Sequence, residues 1–189
     1  MSDSVSLLSI EDLQKAVALL RQGEVIAYPT EAVYGLGCDP FNEAAVQKLF
    51  HVKQRPMEKG VILVAASVAQ IDEYVQLAGM PWEHKVLQTW PGPVTWVLPL
   101  KQALPEWITG GRDTVAIRVS AHPLVQALCA AFGQPVVSTS ANLSTQPPAK
   151  SCDEVKRVFA DQVFCLEGAL GALAQPTQIW DAQSGERLR

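Results

Sequence analysis

Short continuous apolar runs recur along this chain and constrain its fold more than any other feature. Residues 25–28 (VIAY), 61–64 (VILV), 94–98 (VTWVL), 115–119 (VAIRV) and 135–138 (PVVS) are the clearest, and 163–166 and 178–180 follow near the C-terminus. Strands buried on both faces read this way, whereas a half-wet antiparallel strand alternates. Helix-period segments lie between the runs. Ser9 and Asp12 supply an N-cap and an acidic first turn for a helix carrying Leu13, Ala16, Val17 and Leu20, stopped at Gly23. Asn42 caps a second helix with Ala45, Val46, Leu49 and Phe50 on its inner face. Ser67 opens a third through Ile71, Tyr74 and Val75, and Pro81 a fourth that runs to Thr89. Residues 123–132, stopped by Gly133, and 153–159 complete the set, and 90–93 (WPGP) is an irregular turn. This alternation predicts an α/β fold: one twisted, open sheet flanked by helices. No long helix separates 94–98 from 115–119, so the sheet is predicted to be mixed rather than wholly parallel. The length of 189 residues suits one domain, 1–189, with no extra C-terminal domain.

Charge and composition narrow the function. Fifteen Lys and Arg against 19 Asp and Glu leave a formal charge of -4, which argues against a broad nucleic-acid-coating face. No apolar stretch nears the ~20 residues of a membrane span. Met1-Ser2-Asp3-Ser4 lacks the basic start of a signal peptide. The cytoplasm is the expected compartment, with no membrane partner. Cys38, Cys129, Cys152 and Cys165 and the three histidines are scattered, without the close ligand pairs of a zinc site. Reduced core cysteines and no protein-bound transition metal are expected.

Four polar clusters interrupt the apolar pattern. None is a Walker loop, and Gly35-Leu36-Gly37 is only half of a dinucleotide fingerprint. Residues 29–37 (PTEAVYGLG) follow a strand, where open α/β sheets place ligands; a plain turn is the other reading. Lys48, Lys53, Arg55 and Lys59, opposed only by Glu58, suit phosphates or a carboxylate, or form an ordinary basic helix end. Residues 138–144 (STSANLS) bring hydroxyls and the Asn142 amide directly behind a buried strand, as neutral donors for phosphate oxygens. Arg118 is the lone charge in its run and needs either an anionic ligand or an internal partner such as Asp113. His122, before Pro123, reads as a helix cap. No Ser-His-Asp or Cys-His arrangement stands out. The clusters describe a pocket for a small anionic substrate plus a polyphosphate, without a protein nucleophile.

These residues, taken in order, resemble a known family. The pattern comprises Pro29-Thr30-Glu31 with Tyr34-Gly35-Leu36-Gly37, Lys53-x-Arg55, Trp90-Pro91-Gly92-Pro93-Val94-Thr95, Asp113-Thr114-Val115-Ala116-Ile117-Arg118, His122-Pro123 and Ser138-Thr139-Ser140-Ala141-Asn142. Over nearly the whole chain it is similar to the YrdC-like threonylcarbamoyl-AMP synthases. The resemblance implies a YrdC-like sheet with a concave, basic cavity. It implies a nucleotidyltransferase that turns L-threonine, bicarbonate or CO2 and ATP into threonylcarbamoyl-AMP and pyrophosphate. The product would pass to the tRNA-threonylcarbamoyl transferase machinery, which modifies the adenosine beside the anticodon. By position, Lys53, Arg55, Thr114, Ser140, Asn142 and Arg189 match the ATP contacts, with Lys53 and Arg55 the catalytic pair. Thr30, Arg118, Ser138 and Thr177 match the threonine contacts. Ala32 stands where many relatives carry threonine. Mg2+ is implied only as the ion carried with ATP. The rival reading is a ribosome-maturation module that binds double-stranded RNA or tRNA without turnover. The chain shows no aromatic-rich RNA motif to support it. A carbamoyl-transfer domain of hydrogenase maturation would need further domains, for which 189 residues leave no room.

Overall fold

A computed structural model describes residues 9–189. The elements run α1 (Ile10–Arg21), β1 (Ile26–Pro29), β2 (Tyr34–Gly37), α2 (Glu43–Lys53), β3 (Ile62–Ala65), α3 (Glu83–Leu87), β4 (Val94–Pro99), α4 (Glu106–Thr109), β5 (Thr114–Val119), α5 (Pro123–Phe132), β6 (Val136–Ser140), α6 (Cys152–Phe159), β7 (Phe164–Cys165) and β8 (Gln178–Asp181). Side-chain caps set the helix starts. Ser9 accepts the Asp12 amide at α1, Asn42 the Ala45 amide at α2 and Ser151 the Glu154 amide at α6. Each satisfies a donor that the helix itself leaves open.

The strands form one mixed sheet in the order β7-β1-β2-β6-β3-β5-β4-β8. The pairs β1–β7, β3–β5 and β4–β8 are parallel. Successive residues of a strand point to opposite faces, and here they enter two different cores. Ala27, Leu36, Leu63, Ile117 and Val137 pack with α2 and α6 residues such as Leu49 and Phe159. Ile26, Tyr28, Val64 and Val136 pack with Leu20 of α1 and Val125 and Leu128 of α5. On that second face α1 and α5 stop short, and register shows what they leave uncovered. Gly35 pairs with Ser140, Ser138 with Ile62, Ile62 with Ala116, Ala116 with Val97, and Val97 with Asp181. Directly paired residues share a face. A row of mostly small or polar side chains therefore crosses six strands and floors a cavity.

The α/β class and the mixed sheet agree with the sequence reading, while several local features differ. Residues 34–37 form a strand rather than a turn, because their glycines allow close packing: a Cβ on Gly37 would lie 2.4 Å from Val137 O. Residues 67–75 hold one 3-10 turn, Val68–Gln70, in place of a helix. The edge of β4 claims that backbone instead, with Val75 bridging Leu100 and Gln76 N–H bonded to Pro99 O. The fourth helix shrinks to Glu83–Leu87, and β6 runs on to Ser140. Cys152 and Cys165 are not reduced core filler: β7 brings Cys165 beside the start of α6, and the two form a disulfide with Cα atoms 5.8 Å apart. Among the described residues no helix is long and apolar enough to cross a membrane. Nor does any group of three or more His, Cys, Asp or Glu there stand ready to hold a metal.

Candidate active site

The cavity above the row has a volume of about 600 Å³. Two tightly packed loops build one wall. Gly60 and Gly110 both take positive φ, and a Cβ on Gly110 would lie 2.4 Å from Glu58 O. Arg112 staples the loops together, donating to Thr109 O at 3.1 Å and Glu58 O at 3.2 Å. Leu188 and Arg189 form part of another wall. A third element is the irregular segment 166–177, tethered by polar bonds. Tyr34 OH donates to Gly168 O at 2.8 Å, Gly171 N–H to Thr30 O at 2.9 Å and Leu173 N–H to Glu31 O at 3.1 Å.

The lining is strongly cationic although the chain is acidic. Arg55, Lys59, Arg112, Arg118 and Arg189 face the cavity against a single acidic side chain, Asp181. Four cations form an electrostatic chain. Burial, and after it Arg118, lowers the pKa of Arg189; burial and then Arg189 lower that of Arg55. Burial and then Arg55 bring Lys53 down from 10.5 to about 8. Crowded, partly dry cations are unfavourable alone and become favourable when anions share the space. The arrangement suits a polyanion.

Eight of the ten candidate residues line this cavity: Thr30, Arg55, Thr114, Arg118, Ser138, Ser140, Thr177 and Arg189. Lys53 and Asn142 do not. Lys53 is only 4% exposed, and its Nζ donates to Ser140 O, to Asn142 O at 2.9 Å and to Asn142 Oδ1 at 3.0 Å. With Ser140 Oγ also at 3.4 Å, these acceptors saturate the three donors of an ammonium, so Lys53 pins the turn after β6. Gln54, left-handed at φ 52, reverses the chain between Lys53 and Arg55. Arg55 Nη2 donates to Gly60 O at 3.1 Å, and its Nε is buried without a partner. Asn142 Nδ2 donates within its own loop, to Leu143 O and Gln146 O.

Arg118 has an internal partner, but it is Glu31 rather than Asp113, with Nε 3.3 Å from Oε1. Its Nη1 donates to Thr95 Oγ1 at 3.0 Å and Thr177 Oγ1 at 3.3 Å. Thr30 Oγ1 donates to Val33 O at 2.7 Å. Arg189 Nε and Nη2 donate to Thr177 O at 3.2 and 3.0 Å. His122 is not a side-chain cap: its Nε2 meets Ala169 O at 3.0 Å. Lys48 leaves the basic cluster for an ion pair with Glu24. Burial pushes the Cys38 thiol far up its range, which removes it as a nucleophile. Sequence reasoning misses Arg112 and Asp181. The one available signal for Arg112 was a charge after Gly110-Gly111, two residues before a buried strand.

Known proteins share this chain over most of its length. The family model Sua5_yciO_yrdC, described as "Telomere recombination", matches residues 18–189. The chain belongs to the Sua5/YciO/YrdC family. A threonylcarbamoyl-AMP synthase of Xanthomonas euvesicatoria pv. vesicatoria (strain 85-10) is 55% identical over 183 residues, covering 94% of this chain and 97% of that relative. One from Hydrogenovibrio crunogenus (strain DSM 25203 / XCL-2) is 51% identical over 180 residues, covering 94% and 96%. The crystal structure of P. abyssi Sua5 complexed with L-threonine aligns with a TM-score of 0.82 at 34% identity. That alignment covers 90% of this chain and 51% of the Sua5 chain, so the present chain spans about half the length of that Sua5 protein. The mixed eight-stranded sheet is thus the fold of this family.

Proposed function

We propose that this Sua5/YciO/YrdC-family chain is a threonylcarbamoyl-AMP synthase, an enzyme that joins L-threonine, bicarbonate or CO2 and ATP and releases pyrophosphate. One observation carries the reading: a single cavity combines a cation held in a hydroxyl shell, Arg118, with the further guanidiniums of Arg189, beside it across Thr177, and Arg55. Arg118, among Thr95, Thr177 and the nearby Thr30 and Ser138, suits the carboxylate and hydroxyl of threonine. Arg55 and Arg189, with Ser140 and Thr114, suit a triphosphate. Lys53 and Asn142 act from behind, fixing the turn that presents Ser140.

The chemistry then needs no protein nucleophile. The threonine amine attacks the bicarbonate or CO2 carbon to give N-carboxythreonine, with loss of water when the donor is bicarbonate and of a proton when it is CO2. That carboxylate attacks the α-phosphorus of ATP, and the bond to pyrophosphate breaks. Holding both substrates on one floor makes the second step effectively unimolecular. The guanidiniums neutralise charge that develops on the phosphate oxygens. Mg2+ enters as part of the substrate, MgATP; a single lining carboxylate, Asp181, suits an ion held chiefly by phosphates and water. The product is a mixed anhydride, to be consumed by the cytoplasmic tRNA-threonylcarbamoyl transferase machinery.

Arg118→Ala tests the assignment. It should raise the KM for threonine about 100-fold, as loss of a charge-assisted contact does, and that for ATP by about threefold or less. Equal effects on the two would remove Arg118 from the threonine end. Tight, salt-sensitive RNA binding by a chain without turnover would favour an RNA-binding module instead.

A further inference from the structure

Arg118 is 3% exposed and its guanidinium is fixed on nearly every side. Nη1 is committed to Thr95 and Thr177, and Nε lies 3.3 Å from Glu31 Oε1, an ion pair without an aligned hydrogen bond. Among the described residues Nη2 has neither a hydrogen bond nor an ion-pair contact, and it belongs to a side chain that lines the cavity. Glu31 does not line the cavity and is 7% exposed. Its carboxylate is held from behind in one direction. Ser120 Oγ accepts the His122 amide at 3.1 Å and donates its only proton to Glu31 Oε1 at 2.6 Å. The two other ion pairs among the described residues, Lys48–Glu24 and Lys101–Asp72, lie outside the cavity lining. Glu31 is therefore the one carboxylate paired with a cation of the row.

The backbone of Glu31 carries a second connection. Segment 166–177 lies against it so closely that a Cβ on Gly171 would sit 2.7 Å from Glu31 Cα. The same segment delivers Thr177 to Arg118. Residue 31 thus joins the guanidinium to the segment that walls it in.

We propose that Glu31 is the positioning residue for Arg118. Its carboxylate pairs electrostatically with the guanidinium on the Nε side, which leaves Nη2 as the edge turned to the substrate. It also offsets the charge at this end of the cation row. Arg118 then selects the single carboxylate of an amino acid, while Arg55 and Arg189, which have no carboxylate paired with them among the described residues, keep their charge for the polyphosphate. This rests on Arg118 being the threonine contact.

The test uses the full chain and steady-state pyrophosphate release. Glu31→Gln keeps the shape and removes the charge. It should raise the threonine KM about tenfold or more and move the ATP KM by about threefold or less. Added tripolyphosphate should inhibit this variant competitively against threonine, and should not do so in the unaltered chain. A structural role alone would not create that competition. Ser120→Ala should move the threonine KM in the same direction by a smaller factor, and serves if Glu31→Gln fails to fold by thermal melt. In the presence of Arg118→Ala, Glu31→Gln should add about twofold or less. If both KM values rise together, or the threonine KM stays put, the Glu31 role is overturned. If Arg118→Ala itself leaves the threonine KM unchanged, the error lies in the reading of Arg118 and not in its partner.

Discussion

Lys53 should make the free enzyme lose its hold on ATP as pH rises through about 8. Burial first, and Arg55 second, lower its pKa from 10.5 to about 8. The ammonium satisfies Ser140 O, Asn142 O and Asn142 Oδ1 together. A neutral amine has two donors and a lone pair, so one of those oxygens loses its bond and the turn behind Ser140 loosens. Above the pKa, each pH unit should lower kcat/KM for ATP about tenfold. Polyphosphate in the site favours the ammonium, so the limb in kcat should lie at higher pH than the limb in kcat/KM. Stability moves the other way. An unfolded lysine titrates near 10.4. Between about 8 and about 10.4 the unfolded chain binds the extra proton, so this residue's contribution to stability rises with pH, by at most about 1.4 kcal/mol per unit. The assay is initial-rate pyrophosphate release at limiting ATP from about pH 7 to about pH 10, with urea melts over the same range. Lys53→Met keeps the length and deletes the charge. It should lower kcat/KM for ATP about 100-fold at neutral pH, abolish the alkaline limb and remove the rise in stability relative to the unaltered chain. Near-normal kcat/KM in Lys53→Met, or a flat profile above about pH 8 in the unaltered chain, would refute the reasoning.

Two further perturbations probe the frame around the site. The disulfide closes a separation of 13 residues, so Cys152→Ser should lower stability by about 3 kcal/mol, seen as a lower melting temperature. A dithiol reductant should produce the same drop in the unaltered chain and none in the variant. Gly171→Ala places a methyl group 2.7 Å from Glu31 Cα and should push segment 166–177 outward. The threonine KM should then rise about tenfold with little change in the ATP KM, and unchanged threonine kinetics would show that the segment does not bear on the site.

Much of the architecture was legible because burial on both faces leaves a plain mark. Runs such as 61–64 and 115–119 became β3 and β5, and the Pro123 to Gly133 punctuation bounded α5. The strand at Tyr34–Gly37 was hidden because its glycines serve close approach to Val137 and Tyr28 rather than a turn. The false helix near Ile71 had the right spacing, but tertiary bonding to Pro99 and Leu100 overrode it. The candidate site residues came from motif order, and eight of ten share one cavity. What sequence could not supply was pairing at long range. Glu31 reaches Arg118 from 87 positions away, and Cys152 finds Cys165 only because β7 lies beside α6. The overall acidity likewise concealed a local fact: five cationic side chains face one acidic side chain because register puts a bare floor between them.

The central claim is that one cavity assembles threonine, a one-carbon donor and ATP without a covalent enzyme intermediate. Mass spectrometry of the product formed from 13C-bicarbonate, L-threonine and ATP tests it most directly. The expected result is a labelled threonylcarbamoyl-AMP equal in amount to the pyrophosphate released, absent when any one substrate is left out, with the protein's own mass unchanged. Pyrophosphate release without threonine, or label carried on the protein, would contradict it.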